Sequence, residues 1–280
     1  MTQDQIAIGQ HWHVDLGVRW TRLESKESDV PGSGGEDRSP DNDKVIGRFG
    51  VVYSVTEEVS LFAGYGQGFQ APIGVILADG SAPDPSESDS WELGVKWRTA
   101  SGFSGNLAYF ELDRTNVATA DPDNAQFQVQ VGKQSSRGVE LDMAWQVSEQ
   151  WLVLGNFASI DAKVTDDNQL PEGDKLPRVP GNSGRVSVRH DFTGVLSGLA
   201  LQLGALYRDN QEITLPNTYK VDDYTVFDTQ VSYAWNRYLL RLSVNNLTDK
   251  RYFQPNTFLG LPVVETGGER TLYLSLEATF

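Results

Sequence analysis

Side chains able to do chemistry are few and scattered in this chain. Among 280 residues there are three histidines and no cysteine, which excludes thiolate metal sites and disulfides. His11 and His13 fall on one face of a strand-like run, as two metal ligands would, but no third ligand stands near them in sequence. Zinc needs at least three protein ligands, so two polar residues facing a wet interior is the favoured reading. The acidic runs Asp121-Pro122-Asp123-Asn124 and Asp166-Asp167-Asn168 offer oxygen ligands for calcium. Neither has the glycine and closing glutamate of an EF-hand loop, so both read as solvated loop. No histidine has a triad or HExxH context. The expectation is a protein that is not an enzyme and has neither cofactor nor metal; the chemistry left to it is binding.

Composition narrows the partner. The formal charge of -15 argues against nucleic acid. Hydrophobic residues make up 39% of the chain, mean hydropathy is -0.38, and no run nears the roughly 18 apolar residues of a spanning helix. A membrane-spanning sheet escapes this exclusion, because alternating polar and apolar residues keep average hydropathy low. Met1-Thr2-Gln3-Asp4-Gln5 has neither a basic region nor an apolar core, so no secretory signal is read there. Gln3 to Ile8 resembles the tail of a strand, and a fragment of a longer protein is expected.

The elements that must position any binding residues are strands of period two. In Thr271 to Phe280, Leu272, Leu274, Leu276, Ala278 and Phe280 share one face and Thr271, Tyr273, Ser275, Glu277 and Thr279 the other. Trp12, Val14, Leu16, Val18 and Trp20 repeat the pattern, with a tryptophan near each end. A soluble sheet has no reason to rim its buried face with tryptophan, whereas a bilayer-facing one does. Similar runs are read at Lys44–Thr56, Val59–Phe69, Trp91–Arg98, Phe103–Asn116, Val139–Gln146, Trp151–Val164, Gly184–Phe192, Gly198–Tyr207, Asp223–Trp235 and Tyr238–Val244. Ile73 to Ala78 has the makings of one helical turn, and Val117 to Gln134 reads as an excursion. About twelve strands, joined alternately by short turns and long polar loops, predict an all-β transmembrane antiparallel barrel.

Several stretches carry a family resemblance. Gly68-Phe69-Gln70-Ala71-Pro72, Glu92-Leu93-Gly94-Val95-Lys96, Asp113-Arg114-Thr115-Asn116-Val117, Arg137-Gly138-Val139-Glu140-Leu141 and Asn245-Asn246-Leu247-Thr248-Asp249-Lys250-Arg251-Tyr252 occur in this order. Together with the terminal aromatic, they resemble the C-terminal half of a TonB-dependent outer-membrane receptor of the ferric-siderophore branch. Thr248 stands where that family usually has an aromatic, and Thr266-Gly267-Gly268-Glu269-Arg270 keeps only a Gly and the Arg of its Pro-Gly-x-Pro-Arg.

The resemblance implies a barrel of about 22 strands around a plug, of which residues 1–280 are some twelve or thirteen strands without the plug. It implies a bacterial outer-membrane location, lipid around the barrel, and TonB-energised uptake of a ferric-siderophore. TonB itself would be engaged by the missing N-terminal plug segment. Such receptors grip the chelate with loop aromatics and arginines, and the matching outer-loop residues are Phe127, Arg178, Tyr219 and Phe258. Arg48, Glu92, Lys96, Glu140 and Asp142 are expected to face the lumen and pair with the plug. Haem receptors resemble the chain at Gly68 to Pro72 but usually have Arg at the place of Gln70 and a histidine in the next loop, and residues 73–89 contain none. A passive porin-like barrel and a soluble β-sandwich are the alternatives from other classes. The sandwich would expose a greasy belt to water.

Overall fold

In the computed structural model, residues 2–24, 41–71, 77, 84–121, 128–258 and 261–279 are described. Their strands are β1 (Thr2–Ile8), β2 (Trp12–Glu24), β3 (Asp41–Ser54), β4 (Val59–Gln70), β5 (Ser86–Arg98), β6 (Phe103–Ala120), β7 (Gln128–Gln146), β8 (Trp151–Asp166) and β9 (Asn182–Asp191). Then come β10 (Leu199–Arg208), β11 (Gln211–Glu212), β12 (Lys220–Val221), β13 (Tyr224–Trp235), β14 (Tyr238–Asn245), β15 (Phe253–Phe258), β16 (Leu261–Thr266) and β17 (Thr271–Ala278). Thirteen of them form one antiparallel sheet in chain order, β1 through β10, then β13, β14 and β17. The pairs β11–β12 and β15–β16 stand apart as two-stranded ribbons. No helix among the described residues is long and apolar enough to cross a membrane.

Register fixes the faces. Leu16 lies opposite Phe49, Phe49 opposite Tyr65, and Tyr65 opposite Trp91. Val95 faces Leu107, Leu107 faces Leu141, and Leu141 faces Phe157. A one-residue slip anywhere would send these side chains to the wet face. The apolar face is not covered by protein: Leu274 is 71% exposed, and Val18, Trp20 and Leu203 are likewise open. Buried apolar side chains among the described residues reduce to Ala162, Val164, Ala200, Val221, Tyr224 and Val226. The sheet therefore has no second layer against its greasy side, which is the surface a bilayer would cover.

The short connections gather aromatics at one end of that face. Trp12 and Tyr53 have ring centroids 4.5 Å apart, Phe103 lies between Trp97 at 5.6 Å and Trp145 at 6.0 Å, and Trp151 stacks on His190 at 4.2 Å. Tyr233, Trp235 and Tyr238 continue the rim at 5.6 and 5.5 Å. Ring and headgroup match at such a girdle. The tightest of these turns, Asn236-Arg237, puts Asn236 at φ 52°. Two-residue hairpins need that left-handed geometry, and asparagine tolerates it.

Three features differ from the expected pattern. β6 and β7 run on as far as Ala120 and Gln128, so most of the supposed excursion is strand. A register shift between Arg114 and Val117, with Asn116 at φ 54°, broke the alternation that would have revealed it. The β15–β16 ribbon was not anticipated, and Pro255 and Pro262 hid it, since proline demotes a strand reading. Of the helical turn expected at Ile73 to Ala78, only Leu77 is described, and it forms a bridge to Gln128; the rest lies outside the described residues.

The wall also forks. β2–β3 pairing continues to Glu24 and Asp41 and β4–β5 pairing to Gln70 and Ser86, but β3–β4 pairing ends at Arg48 and Gly66. Side chains bridge the gap. Gly47 N donates to Gln67 Oε1 at 3.3 Å, Lys44 pairs with Glu87, and the Arg19 guanidinium lies 5.8 Å from the Phe69 ring centroid.

Candidate ligand site: inner wall and loop crown

The wet face carries charge in short-range pairs. Arg48 contacts Asp15 at 3.2 Å, and Asp15 also accepts from Gln3 at 2.8 Å and Gln5 at 3.3 Å. Gly17 makes room for this: a Cβ there would lie 2.8 Å from Arg48 Nε. Lys96 places its ammonium 4.6 Å from the Phe62 ring centroid, and that ring lies across Gly94, where a Cβ would meet it at 2.6 Å. Arg185 reaches Asp228 at 2.9 Å and Arg241 reaches Glu277 at 3.1 Å. Exposed pairs of this kind contribute about 0–1 kcal/mol each; they keep the wall wet more than they hold it together. Two troughs run along this face. One is bordered by Asp15, Arg48, Phe62 and Glu92, the other by Lys96, Asp142, Asn156 and Arg185. Arg48, Glu92, Lys96 and Asp142 thus sit where the alternation put them, and Glu140 shares the parity of Asp142 on β7.

Nearer the long-loop end, Arg114 donates to Gln70 Oε1 at 2.8 Å and Ser86 Oγ at 2.9 Å. One guanidinium therefore joins the ends of β4, β5 and β6. Lys133, beyond the apolar belt, contacts Asp166 at 2.9 Å. That hydrogen bond and the carboxylate charge raise the ammonium pKa above its usual value.

Three long connections, 167–181, 209–223 and 246–270, fold into a crown. Arg178 N donates to Glu212 O at 3.0 Å. Asn217 receives Lys175 N at 2.6 Å on its side-chain oxygen and donates its own backbone N–H to Asp174 at 2.8 Å. Tyr224, 2% exposed, packs its ring tilted against Tyr252 with centroids 4.3 Å apart, and its hydroxyl accepts from Gln254 at 2.6 Å. Asn246 sits at φ 51° and is 3% exposed. Its side-chain oxygen accepts Lys250 N at 2.8 Å, and its amide donates to Lys250 O and Gly268 O, both at 2.9 Å. Arg270 N donates to Asp249 at 3.0 Å. The Asn245 to Tyr252 stretch is thus a staple closing the root of the last loop.

Arg178 is exposed at φ 68°, and Tyr219 is 70% exposed beside Lys220, which pairs with Glu212. The structure brings these two candidates into one part of the crown through Glu212. Phe258 is 66% exposed at the far end of β15, on a different ribbon. Phe127, and the run from Pro122 to Asn124, lie outside the described residues. His11 Nδ1 lies 2.9 Å from the Ser54 carbonyl in the first turn, while His13 faces the Asp15 trough. Among the described residues there is no group of three or more His, Asp or Glu able to hold a metal ion. Sequence reasoning missed Tyr224, Tyr252 and Gln254 as crown supports. Nothing in their local pattern separates a loop packer from a girdle residue.

Residues 1–247 match the family model described as "TonB dependent receptor-like, beta-barrel". The metal-pseudopaline receptor CntO of Pseudomonas aeruginosa is 33% identical over 264 residues, covering 90% of this chain and 37% of the relative. The ferrioxamine B receptor of Salmonella typhimurium is 27% identical over 257 residues, covering 89% and 36%. The crystal structure of the siderophore receptor PiuA from Acinetobacter baumannii superposes with a TM-score of 0.86 at 24% identity, over 99% of this chain and 42% of that one, a likeness of fold. The chain spans little more than a third of the length of the curated relatives. Its open sheet is part of a barrel, and it belongs to the TonB-dependent receptor β-barrel family, whose members are transport receptors of the bacterial outer membrane rather than enzymes.

Proposed function

We propose that residues 1–280 form one stretch of an outer-membrane barrel that takes up a ferric-siderophore, with TonB acting through a plug-bearing portion of the receptor. One observation carries this reading: a sheet greasy on one side and charged on the other is topped by a crown displaying Arg178 and Tyr219. An aromatic ring and a guanidinium on one crown suit a flat metal chelate, one stacking and the other neutralising. Phe258, at the end of the β15–β16 ribbon, is a further candidate, as is Phe127. The names of the relatives, receptors for metal-pseudopaline and ferrioxamine B, support a metal chelate as cargo, and the second supports a ferric one.

The test is a binding titration of the whole receptor in lipid nanodiscs, following tryptophan quenching by a panel of ferric hydroxamate, catecholate and carboxylate chelates. One class should bind, and Arg178→Ala and Tyr219→Ala should each weaken it about five- to thirtyfold, as a contact worth 1–2 kcal/mol requires. Radioiron uptake by cells making the whole receptor should fall in step. Binding of haem in preference to every chelate would overturn the assignment of cargo.

A further inference from the structure

The Asp228 carboxylate on β13 is shared between two clients. One oxygen receives Arg185 Nη2 at 2.9 Å, and the other receives the backbone N–H of Asn246 at 3.0 Å. Arg185 belongs to the inner wall, on the trough that also holds Asn156 and Asp142. It reaches across β10 past Gly204, where a Cβ would sit in ordinary contact 3.5 Å from Nη2. Asn246 belongs to the staple that closes the 246–270 loop, from which the β15–β16 ribbon rises with Phe258 at its end. A single side chain thus touches both the lumen wall and the root of an outer loop.

The two bonds are not independent. An aspartate carboxylate turns freely about its last torsion, which has broad, two-fold preferences. Arg185 fixes that turn with a charge-assisted bond and so aims the second oxygen at Asn246. An anion that draws Arg185 away leaves the carboxylate with one anchor instead of two.

We propose that Asp228 is a positioning residue for the crown: Arg185 holds its carboxylate in the orientation that secures the 246–270 loop, and an anionic group reaching Arg185 from the barrel interior loosens that loop. The physical link stands on the geometry; its use in handling cargo rests on the receptor reading.

Amide hydrogen exchange on the whole receptor in nanodiscs tests the link without any siderophore, so it can fail or succeed independently of the cargo assignment. In the wild type the Asn246 and Lys250 amides should be protected. Arg185→Gln should speed their exchange about tenfold, and Arg185→Lys, which keeps a cation, should restore most of the protection. Arg241→Gln breaks another inner-wall pair, with Glu277, and should leave both amides unchanged. Asp228→Asn retains an oxygen for Asn246 but no charge for Arg185; adding Arg185→Gln to it should have no further effect, the non-additivity expected of coupled residues. Millimolar citrate, the anionic probe, should speed exchange in the wild type and not in Arg185→Gln. Unchanged exchange in Arg185→Gln, an equal effect in the Asp228→Asn background, or indifference of the wild type to citrate would each overturn the proposal.

Discussion

Leu107 and Asn106 are adjacent on β6 and point to opposite faces. Leu107 is flanked across the ladder by Val95 and Leu141, and Asn106 lies opposite Asp142 and Lys96. Leu107 stands four positions along the strand from the rim aromatic Phe103. At about 3.3 Å per residue and a tilt of about 40°, this puts Leu107 roughly 10 Å above the girdle, near the middle of the apolar band. Leu107→Arg should therefore cost about 2–4 kcal/mol, the penalty for a cation near the bilayer midplane. Removing the leucine adds little, since it is 40% exposed and leaves no void. Asn106→Arg gains Asp142 as a neighbour on the wet wall and should shift stability by less than about 1 kcal/mol. Urea titrations in lipid vesicles, read by tryptophan emission and by heat-modifiable migration on gels, should separate the two by about fivefold or more in the folded-to-unfolded ratio. Equal costs would mean that Leu107 does not face hydrocarbon, and the assignment of the two faces would fail.

Other perturbations probe single features. Gly105→Ala would set a Cβ 2.3 Å from the Asp142 carbonyl and 2.7 Å from the Trp97 ring. It should destabilise the folded state by about 1–3 kcal/mol, as overpacking does, and redshift tryptophan emission as the girdle ring is displaced. Gln67→Ala removes the acceptor that bridges the fork at Gly47. Exchange of the Gly47 amide should rise several-fold while Phe49 and Tyr65, in the intact ladder, keep their protection. Asn246→Ala deletes three buried hydrogen bonds at a left-handed position. It should free the 246–270 loop to limited proteolysis while leaving heat-modifiable migration intact.

What was legible from the residues follows from how far one rule reaches. Where period two ran unbroken, as from Trp12 to Trp20 or Trp91 to Trp97, sequence put each side chain on its observed face, and the belt, the turns and the family were all in view. The rule stops at Asn116, whose left-handed turn shifts the register and made the upper parts of β6 and β7 look like loop. It says nothing of β15 and β16, whose prolines break the strand signal although the ribbon forms at an edge that tolerates them. Arg178 and Tyr219 could be named as exposed loop residues, but their shared place in the crown depends on backbone contacts between separate loops at Glu212, which no local pattern encodes. The Asn245 to Tyr252 run was conspicuous as a signature. Its work as a staple needed the partner at Gly268 to be seen.

The near absence of enclosed apolar side chains also sets which positions can drift. Trimming Leu203 or Leu242 opens no void, because neighbouring acyl chains close over the space, so aliphatic exchanges along the outside should be close to neutral. The tight spots are glycines, Gly94 beneath Phe62 and Gly105 beside Trp97, where one added methyl would meet backbone carbonyl oxygens at 2.3 Å. In this protein the tightly packed glycines, on whichever face they stand, are less free to vary than the largest residues on the oily side.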